Sequence, residues 1–134
     1  MHTSTVEIRV RYAETDQMGF VYYGNYATYL EVARVEALRS LGLSYKEMEV
    51  QGVMLPVVDF SIKYHAPATY DDLILVKTTI KTMPTSKIHF TYECLHGDKV
   101  LTTAETTLVF VNKSTIRPTK CPEDLIAALQ PFFT

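Results

Sequence analysis

One stretch of this chain repeats its apolar residues every three to four positions, while most of the rest repeats them every two. At 100° per residue, Tyr26, Tyr29, Leu30, Ala33, Ala37 and Leu41 fall on one stripe. That spacing predicts a helix over about Asn25 to Leu41. Asn25 suits its N-cap, because a side-chain oxygen there accepts from the unpaired first-turn N–H groups. Gly42 suits the position just past its end, where the backbone turns to positive φ. At 1.5 Å per residue this helix is ~25 Å long. Ala33 and Ala37 leave room for another element to approach closely, and Glu31, Arg34 and Arg39 are expected on the opposite face. The stripe must be buried against the strands, the main partner the chain offers it.

The period-two segments are plain. Val6, Ile8, Val10 and Tyr12 alternate with charged residues, as in a half-buried strand. Val58, Phe60, Ile62 and Tyr64 alternate with Asp59, Ser61, Lys63 and His65. Leu73 to Lys81 is a β-rich run, and Ile88, Phe90, Tyr92 and Cys94 alternate again. Gly97-Asp98 reads as a tight hairpin before a Thr-rich strand from Leu101 to Val111. Pro67 with Tyr70-Asp71-Asp72, and Met83 to Ser86, read as breaks. A short second helix fits Ser44 to Gly52, and a terminal one fits Pro122 to Phe133, with Pro122 in its first turn and Glu123 and Asp124 complementing its dipole. The order is a strand, a long helix, four strands in meander and a short helix. The expected class is α+β, with a long central helix wrapped by a five-stranded, mainly antiparallel sheet, in one domain over residues 1–134. Such a sheet leaves an edge strand exposed, and pairing with a second copy removes that hazard.

Composition narrows the functional classes. The formal net charge of −2 over 134 residues gives no basic excess for binding nucleic acid. No apolar run approaches the ~18 residues of a membrane span, and the alternating N-terminus is unlike a signal peptide. Two cysteines, Cys94 and Cys121, lack metal-ligand spacing and read as reduced thiols of a cytoplasmic protein. No His, Cys and acid cluster suggests a metal, and no Gly-rich loop suggests nucleoside triphosphate chemistry.

The chemistry-bearing segment runs from Tyr12 to Tyr26. It joins a strand to the start of the helix and carries Asp16, two glycines and Tyr22, Tyr23 and Tyr26. The unpaired N–H groups at a helix start carry partial positive charge and can hold an oxyanion. A nearby carboxylate can attack a carbonyl or activate water. The same residues also fit a plainer role, with Asp16 capping a turn and the tyrosines filling a core.

The pattern Tyr12, Thr15-Asp16, Gly19, Val21-Tyr22-Tyr23, Tyr26, Glu31 and Arg34 resembles the signature of hotdog-fold acyl-CoA thioesterases of the 4-hydroxybenzoyl-CoA thioesterase and YbgC-like family. The resemblance continues in Tyr64-His65-Ala66-Pro67-Ala68, Tyr70-Asp71-Asp72, Ala104-Glu105-Thr106-Thr107 and Lys113 to Pro118. It implies a hotdog fold, hydrolysis of an acyl-CoA thioester, and a homodimer or homotetramer with sites at subunit interfaces. It implies no cofactor, CoA being part of the substrate. By the same resemblance Asp16 is the nucleophile or general base, and the backbone N–H of Tyr23 polarises the thioester carbonyl. Many YbgC-like members carry His where this chain has Tyr23; the hydroxybenzoyl type carries Tyr.

The remaining candidates are weaker. Tyr22, Gly24 and Asn25 adjoin the implied carbonyl site, and Lys113 and Arg117 are the basic residues best suited to CoA phosphates. Glu36, beside the helix stripe, is a second candidate acid, whereas Glu14 is expected to point away from Asp16. Tyr26 and Tyr29 read as core, His65 and His89 as structural or solvent-facing, and His2 as part of a tail. Two rival readings share the fold: an acyl-carrier-protein thioesterase, and a non-catalytic acyl-CoA-binding protein.

Overall fold

The computed structural model describes residues 1–133; the expected domain's last residue, Thr134, lies outside the described residues. Strand β1 (His2–Arg9) is followed by a single 3₁₀ turn (Tyr12–Glu14) and helix α1 (Asn25–Ser40). Helix α2 (Tyr45–Val50) leads into β2 (Val53–Met54) and β3 (Val57–Tyr64). Strands β4 (Leu73–Ile80), β5 (Lys87–His96) and β6 (Lys99–Val109) come next. Short strands β7 (Val111–Asn112) and β8 (Arg117–Pro118) precede helix α3 (Glu123–Leu129) and a 3₁₀ turn, Gln130–Phe132.

Five strands pair antiparallel in the order β1-β4-β5-β6-β3, and β2, β7 and β8 form a second small sheet. Only β4, β5 and β6 form the expected meander. The segment from His65 to Asp72, between β3 and β4, is too long for a tight hairpin. The chain uses it to cross from one sheet edge, β3 beside β6, to the β1-β4 side.

One sheet face is the core. Ile74, Val76 and Ile80 on β4, Ile88, Phe90, Tyr92 and Cys94 on β5, and Ala104 and Leu108 on β6 are all buried. They pack with Tyr26, Tyr29, Leu30, Ala33 and Leu38 of α1. A large-to-small change at a fully buried position such as Leu30 or Phe90 costs about 2–5 kcal/mol. The opposite face carries the out-of-phase residues: Lys77, Thr79, Thr91, Glu93, Thr103 and Glu105. Both cysteines are buried free thiols.

The start of α1 differs from the expected one. Gly24 is the N-cap and Asn25 the first helical residue. At the other end Gly42, at φ +83°, donates to Arg39 O (3.0 Å), and Leu43 donates to Leu38 O (3.0 Å). These two bonds satisfy carbonyls that the helix leaves open. Arg34 is also not on the outer face. Leu30, Arg34 and Leu38 lie at i, i+4 spacing, so the arginine follows the buried stripe, and its Nη1 lies 3.5 Å from the Tyr92 hydroxyl.

Tyr12 is exposed rather than buried, because β1 ends at Arg9 and the chain turns at Tyr12–Glu14. His2 is buried, its ring centroid 4.8 Å from that of Phe132, and this contact ties the two chain ends together. Pro122 caps α3 instead of entering its first turn, its carbonyl accepting from the Leu125 and Ile126 N–H groups.

The edge strand β3 is exposed at seven of its eight residues, including Val57, Val58, Phe60 and Tyr64. The sheet therefore ends in a strand paired only with β6 among the described residues, with several apolar side chains exposed.

Candidate functional site

The loop from Val10 to Asn25 is held at several points. Val10 and Asp71 form reciprocal contacts with the segment after β3: Val10 N–H donates to Asp72 O (2.9 Å), and Asp71 N–H donates to Val10 O (3.0 Å). Thr15 bridges Val21, Phe20 bridges Thr69, and Val21 N–H donates to Ala68 O (2.8 Å). Between Thr15 and Val21 the chain reverses. Gly19 N–H donates to Asp16 O (2.9 Å), and Asp16 N–H donates to Phe20 O (2.8 Å).

Asp16 caps this reversal with one carboxylate oxygen. Its Oδ1 accepts from Met18 N–H (2.9 Å) and Phe20 N–H (3.3 Å). Its second oxygen has no donor among the described residues. The side chain lines an open groove of about 690 Å³ with Tyr12, Thr15, Gln17, Gly19 and Tyr70. The rings of Tyr12 and Tyr70 lie 5.6 Å apart as one wall of that groove.

The start of α1 follows this loop in the chain, and Tyr22, Tyr23, Gly24 and Asn25 are not among the residues lining the Asp16 groove. Tyr22 N–H donates to Glu14 O (2.9 Å), Asn25 N–H to Tyr22 O (2.9 Å), and Tyr26 N–H to Tyr23 O (3.3 Å). Among the described residues, the Tyr23 and Gly24 N–H groups have no backbone acceptor. Donors of this kind at a helix start favour negative charge. At Gly24 the chain passes close to the exposed Tyr22 ring. A Cβ on Gly24 would stand 2.9 Å from Tyr22 Cε2, so the Tyr22 ring covers the glycine. The Tyr22 and Tyr23 rings are 4.7 Å apart, and the Tyr64 hydroxyl of β3 donates to Tyr23 O (3.3 Å).

Asn25 does not cap the helix with its side chain; its Nδ2 donates to Glu14 O (2.8 Å) instead. Glu14 itself, expected to point away, turns inward and is 8% exposed. Burial raises its pKa, but hydrogen bonds from Arg11 and Tyr29 outweigh burial and hold the carboxyl below the usual range. Tyr29 is shifted up, first by burial and then by its bond to that carboxylate. The Arg-x-x-Glu spacing of Arg11 and Glu14 was the available signal for this inward turn, and it is lost when the segment is read as a continuing strand.

Lys113 and Arg117 lie elsewhere. They flank the turn between β7 and β8, where Lys113 N–H donates to Gly52 O (2.8 Å), just past α2. Within one protomer they are not among the residues lining the Asp16 groove. Glu36 pairs with Arg39 one turn along the helix. His65 bonds Thr103 (3.0 Å) and His89 bonds Glu105 (3.0 Å), both away from the loop. A second hollow, about 440 Å³, sits on the outer sheet face among Lys63, Lys77, Lys81, Glu93 and Glu105. No helix start adjoins it, and its acids stand among lysines. Among the described residues, no three His, Cys, Asp or Glu side chains converge as metal ligands, and no helix is long and apolar enough to cross a membrane.

The chain is similar to known proteins along most of its length. The provisionally named acyl-CoA thioesterase YneP of Bacillus subtilis (strain 168) is 39% identical over 119 residues, spanning 88% of this chain and 86% of its own. The acyl-CoA thioester hydrolase YbgC of Escherichia coli O157:H7 is 31% identical over 121 residues, 90% of each chain. The crystal structure of DHNA-CoA thioesterase from Staphylococcus aureus superposes with a TM-score of 0.93 at 35% identity, covering 98% of this chain and 91% of that one. The profile of the Thioesterase-like superfamily matches residues 10–129. With a helix packed on an antiparallel sheet and an acid-bearing loop at the helix start, the chain belongs to the Thioesterase-like superfamily and is a thioester hydrolase with the hotdog fold.

Proposed function

We propose that the protein hydrolyses an acyl-CoA to the free acid and CoA, with Asp16 as the acid and the Tyr23 N–H at the start of α1 as the oxyanion donor. The observation that carries this reading is the loop itself. One Asp16 oxygen is spent on its own turn; among the described residues the other has no donor and, a few residues on, the Tyr23 and Gly24 amides have no backbone acceptor. As a base, Asp16 takes a proton from water while the water oxygen bonds to the carbonyl carbon. The C–S bond then breaks and the proton passes to the CoA thiolate. As a nucleophile, Asp16 forms an acyl anhydride with loss of the thiolate, and water then cleaves the anhydride. In both routes negative charge collects on the former carbonyl oxygen, where backbone N–H donors stabilise it. At Gly24 the chain passes close to the Tyr22 ring, and Asn25 ties the helix start to the loop.

The functional unit of this reading is a dimer of single-domain chains, each with α1 inside the curve of its sheet. The exposed, apolar β3 edge supports it. Two β3 strands paired antiparallel about a two-fold axis would bring the Val57 end of one beside the Tyr64 end of the other. The turn bearing Lys113 and Arg117 follows the strand that pairs with the Val57 end, and Tyr64 touches Tyr23. Pairing would thus carry the basic turn of one chain towards the Asp16 loop of its mate, within reach of CoA phosphates. The reading calls for no cofactor and a cytoplasmic setting.

The deciding experiment is release of free CoA from short, long and aromatic acyl-CoA esters, with Asp16→Asn beside the wild type. Hydrolysis by the wild type that is lost in the folded variant is the expected result. Saturable acyl-CoA binding without hydrolysis would overturn the reading in favour of a binding protein, and turnover of carrier-bound esters alone would move the substrate class.

A further inference from the structure

Glu14 stands two residues before Asp16, is buried, and has no part in the hydrolytic steps above. Six hydrogen bonds nevertheless converge on it. Its carboxylate accepts from the Arg11 N–H (2.8 Å), Arg11 Nε (3.1 Å), Arg11 Nη2 (2.9 Å) and the Tyr29 hydroxyl (2.8 Å). Its carbonyl accepts from Tyr22 N–H (2.9 Å) and Asn25 Nδ2 (2.8 Å). These donors come from the exit of β1, the residues just before α1, and the first two turns of α1 itself. An apolar side chain would fill the same space without the cost of removing a carboxylate from water. What the carboxylate adds is a tie between the exit of β1, through Arg11, and the second turn of α1, through Tyr29, beside the bonds that the backbone carbonyl makes to Tyr22 and Asn25.

We propose that Glu14 is a positioning residue for thioester cleavage, holding the Asp16 turn and the N–H groups at the start of α1 at a fixed separation. The inference rests on the reading of Asp16 and the Tyr23 amide given above. Its physical basis is that the two reacting groups sit on opposite arms of one hairpin-like loop, joined across its mouth by the Glu14 carbonyl, while the Glu14 carboxylate fixes that residue to Arg11 and to Tyr29 of α1. Misplacement by about 1 Å can cost a reaction up to ~100-fold. A loop with few buried apolar contacts would otherwise open locally at little cost.

The test is Glu14→Gln, which keeps the side-chain length and one acceptor oxygen but loses the charge. Two readouts are needed: kcat and KM in the wild-type and Asp16→Asn backgrounds, and amide hydrogen exchange. The expected result is a fall in kcat of roughly tenfold or more, with KM held within about twofold. In the Asp16→Asn background the same change should cost less than about twofold, because the group being positioned is already gone. Exchange should quicken at Met18, Phe20, Tyr22 and Asn25 and stay constant at Ile88, Phe90 and Tyr92 of β5. Wild-type kcat in the folded variant would overturn the proposal. So would an equal loss in both backgrounds, or quickened exchange throughout β5, since either makes Glu14 a general stabiliser only. If Glu14→Gln does not fold, Tyr29→Phe removes one bond from the same carboxylate and is read by the same criteria. If the wild type hydrolyses no ester, the reading of Asp16 falls and the catalytic half of this proposal falls with it; exchange that stays at the wild-type rate in the loop would then overturn the positioning half as well.

Discussion

Glu14 and Asp16 are two acids in one short loop, and their surroundings give them opposite tasks. The Glu14 carboxylate is buried and takes four donors, two of them from the Arg11 guanidinium. Asp16 is half-buried, takes two backbone donors on one oxygen, and lines an open groove. An acid with every lone pair engaged makes a good strut and a poor base. An acid with one oxygen engaged is held in place and still has an oxygen to give. The difference arises within three residues, because the 3₁₀ turn at Tyr12–Glu14 sends one side chain inward and the reversal at Asp16 sends the next acid to the surface.

The largest effect that would break this comparison is on turnover. Asp16→Asn keeps an oxygen to accept from the Met18 and Phe20 N–H groups, so the turn should survive and the melting temperature should hold. Loss of the acid should lower kcat by about 10²–10⁴-fold, the range for a removed acid–base group. A variant that instead melts early while turning over normally would give Asp16 the strut's task.

Glu14→Ala should show the reverse balance. It strands the buried Tyr29 hydroxyl, at a cost of about 1–3 kcal/mol in unfolding free energy. Urea unfolding of the two alanine variants, Glu14→Ala and Asp16→Ala, measures the contrast directly, and equal losses would remove it.

Titration sharpens it further. Hydrogen bonds overcome burial and leave the folded Glu14 pKa below its ordinary 4.5. Stability from this carboxylate is therefore fully present above the ordinary value and is lost as pH falls through the lowered one. In that window the unfolded chain binds more protons than the folded chain, so unfolding free energy rises with pH. The slope should be shallower in Glu14→Gln, by at most one proton, and identical slopes would show that the carboxylate is not held as described. The alkaline limb has a different origin. Burial raises Tyr29, and raises Tyr26 to about 12, so stability present below about 10 is lost as pH rises further. Burial persists in Glu14→Gln, so that limb should remain.

The contrast also shows what the sequence could carry. The α1 stripe, the inward phase of β5 and the Gly42 stop are local patterns, and each appears in the structure. Residue period and capping chemistry act over a few neighbours, so they can be read directly. Pairing of β3 with β6 is not local, and neither is the burial of Arg34 against Tyr92. The inward turn of Glu14 lies between these cases. Its partner Arg11 is three residues away, but Tyr29 and Asn25 reach it only after the chain has reversed. The motif around Asp16 is legible because its residues resemble a family signature; the spacing alone fits a turn cap as well. Glu14 has the same side chain type and stands outside that signature, so only the folded backbone shows its task.

The smallest predicted effect tests whether the two acids and the basic turn belong to one site. Lys113 and Arg117 are exposed and lie beside α2 in their own chain, so neither can touch the reacting carbonyl from there. If pairing through β3 brings them to a neighbouring chain's loop, they meet only the CoA part of the substrate. Contacts that bind ground state and transition state alike act on KM alone, and exposed charges on the CoA part are expected to be of this kind. Exposed charges are worth up to about 1 kcal/mol each. Lys113→Ala and Arg117→Ala should therefore each raise KM for acyl-CoA by roughly two- to fivefold with kcat unchanged. The difference from wild type should shrink as salt rises and screening shortens the reach of the charges. A fall in kcat at constant KM would place these residues with Asp16 and Glu14 in the cleavage step, and no change in either constant would leave the basic turn outside the site.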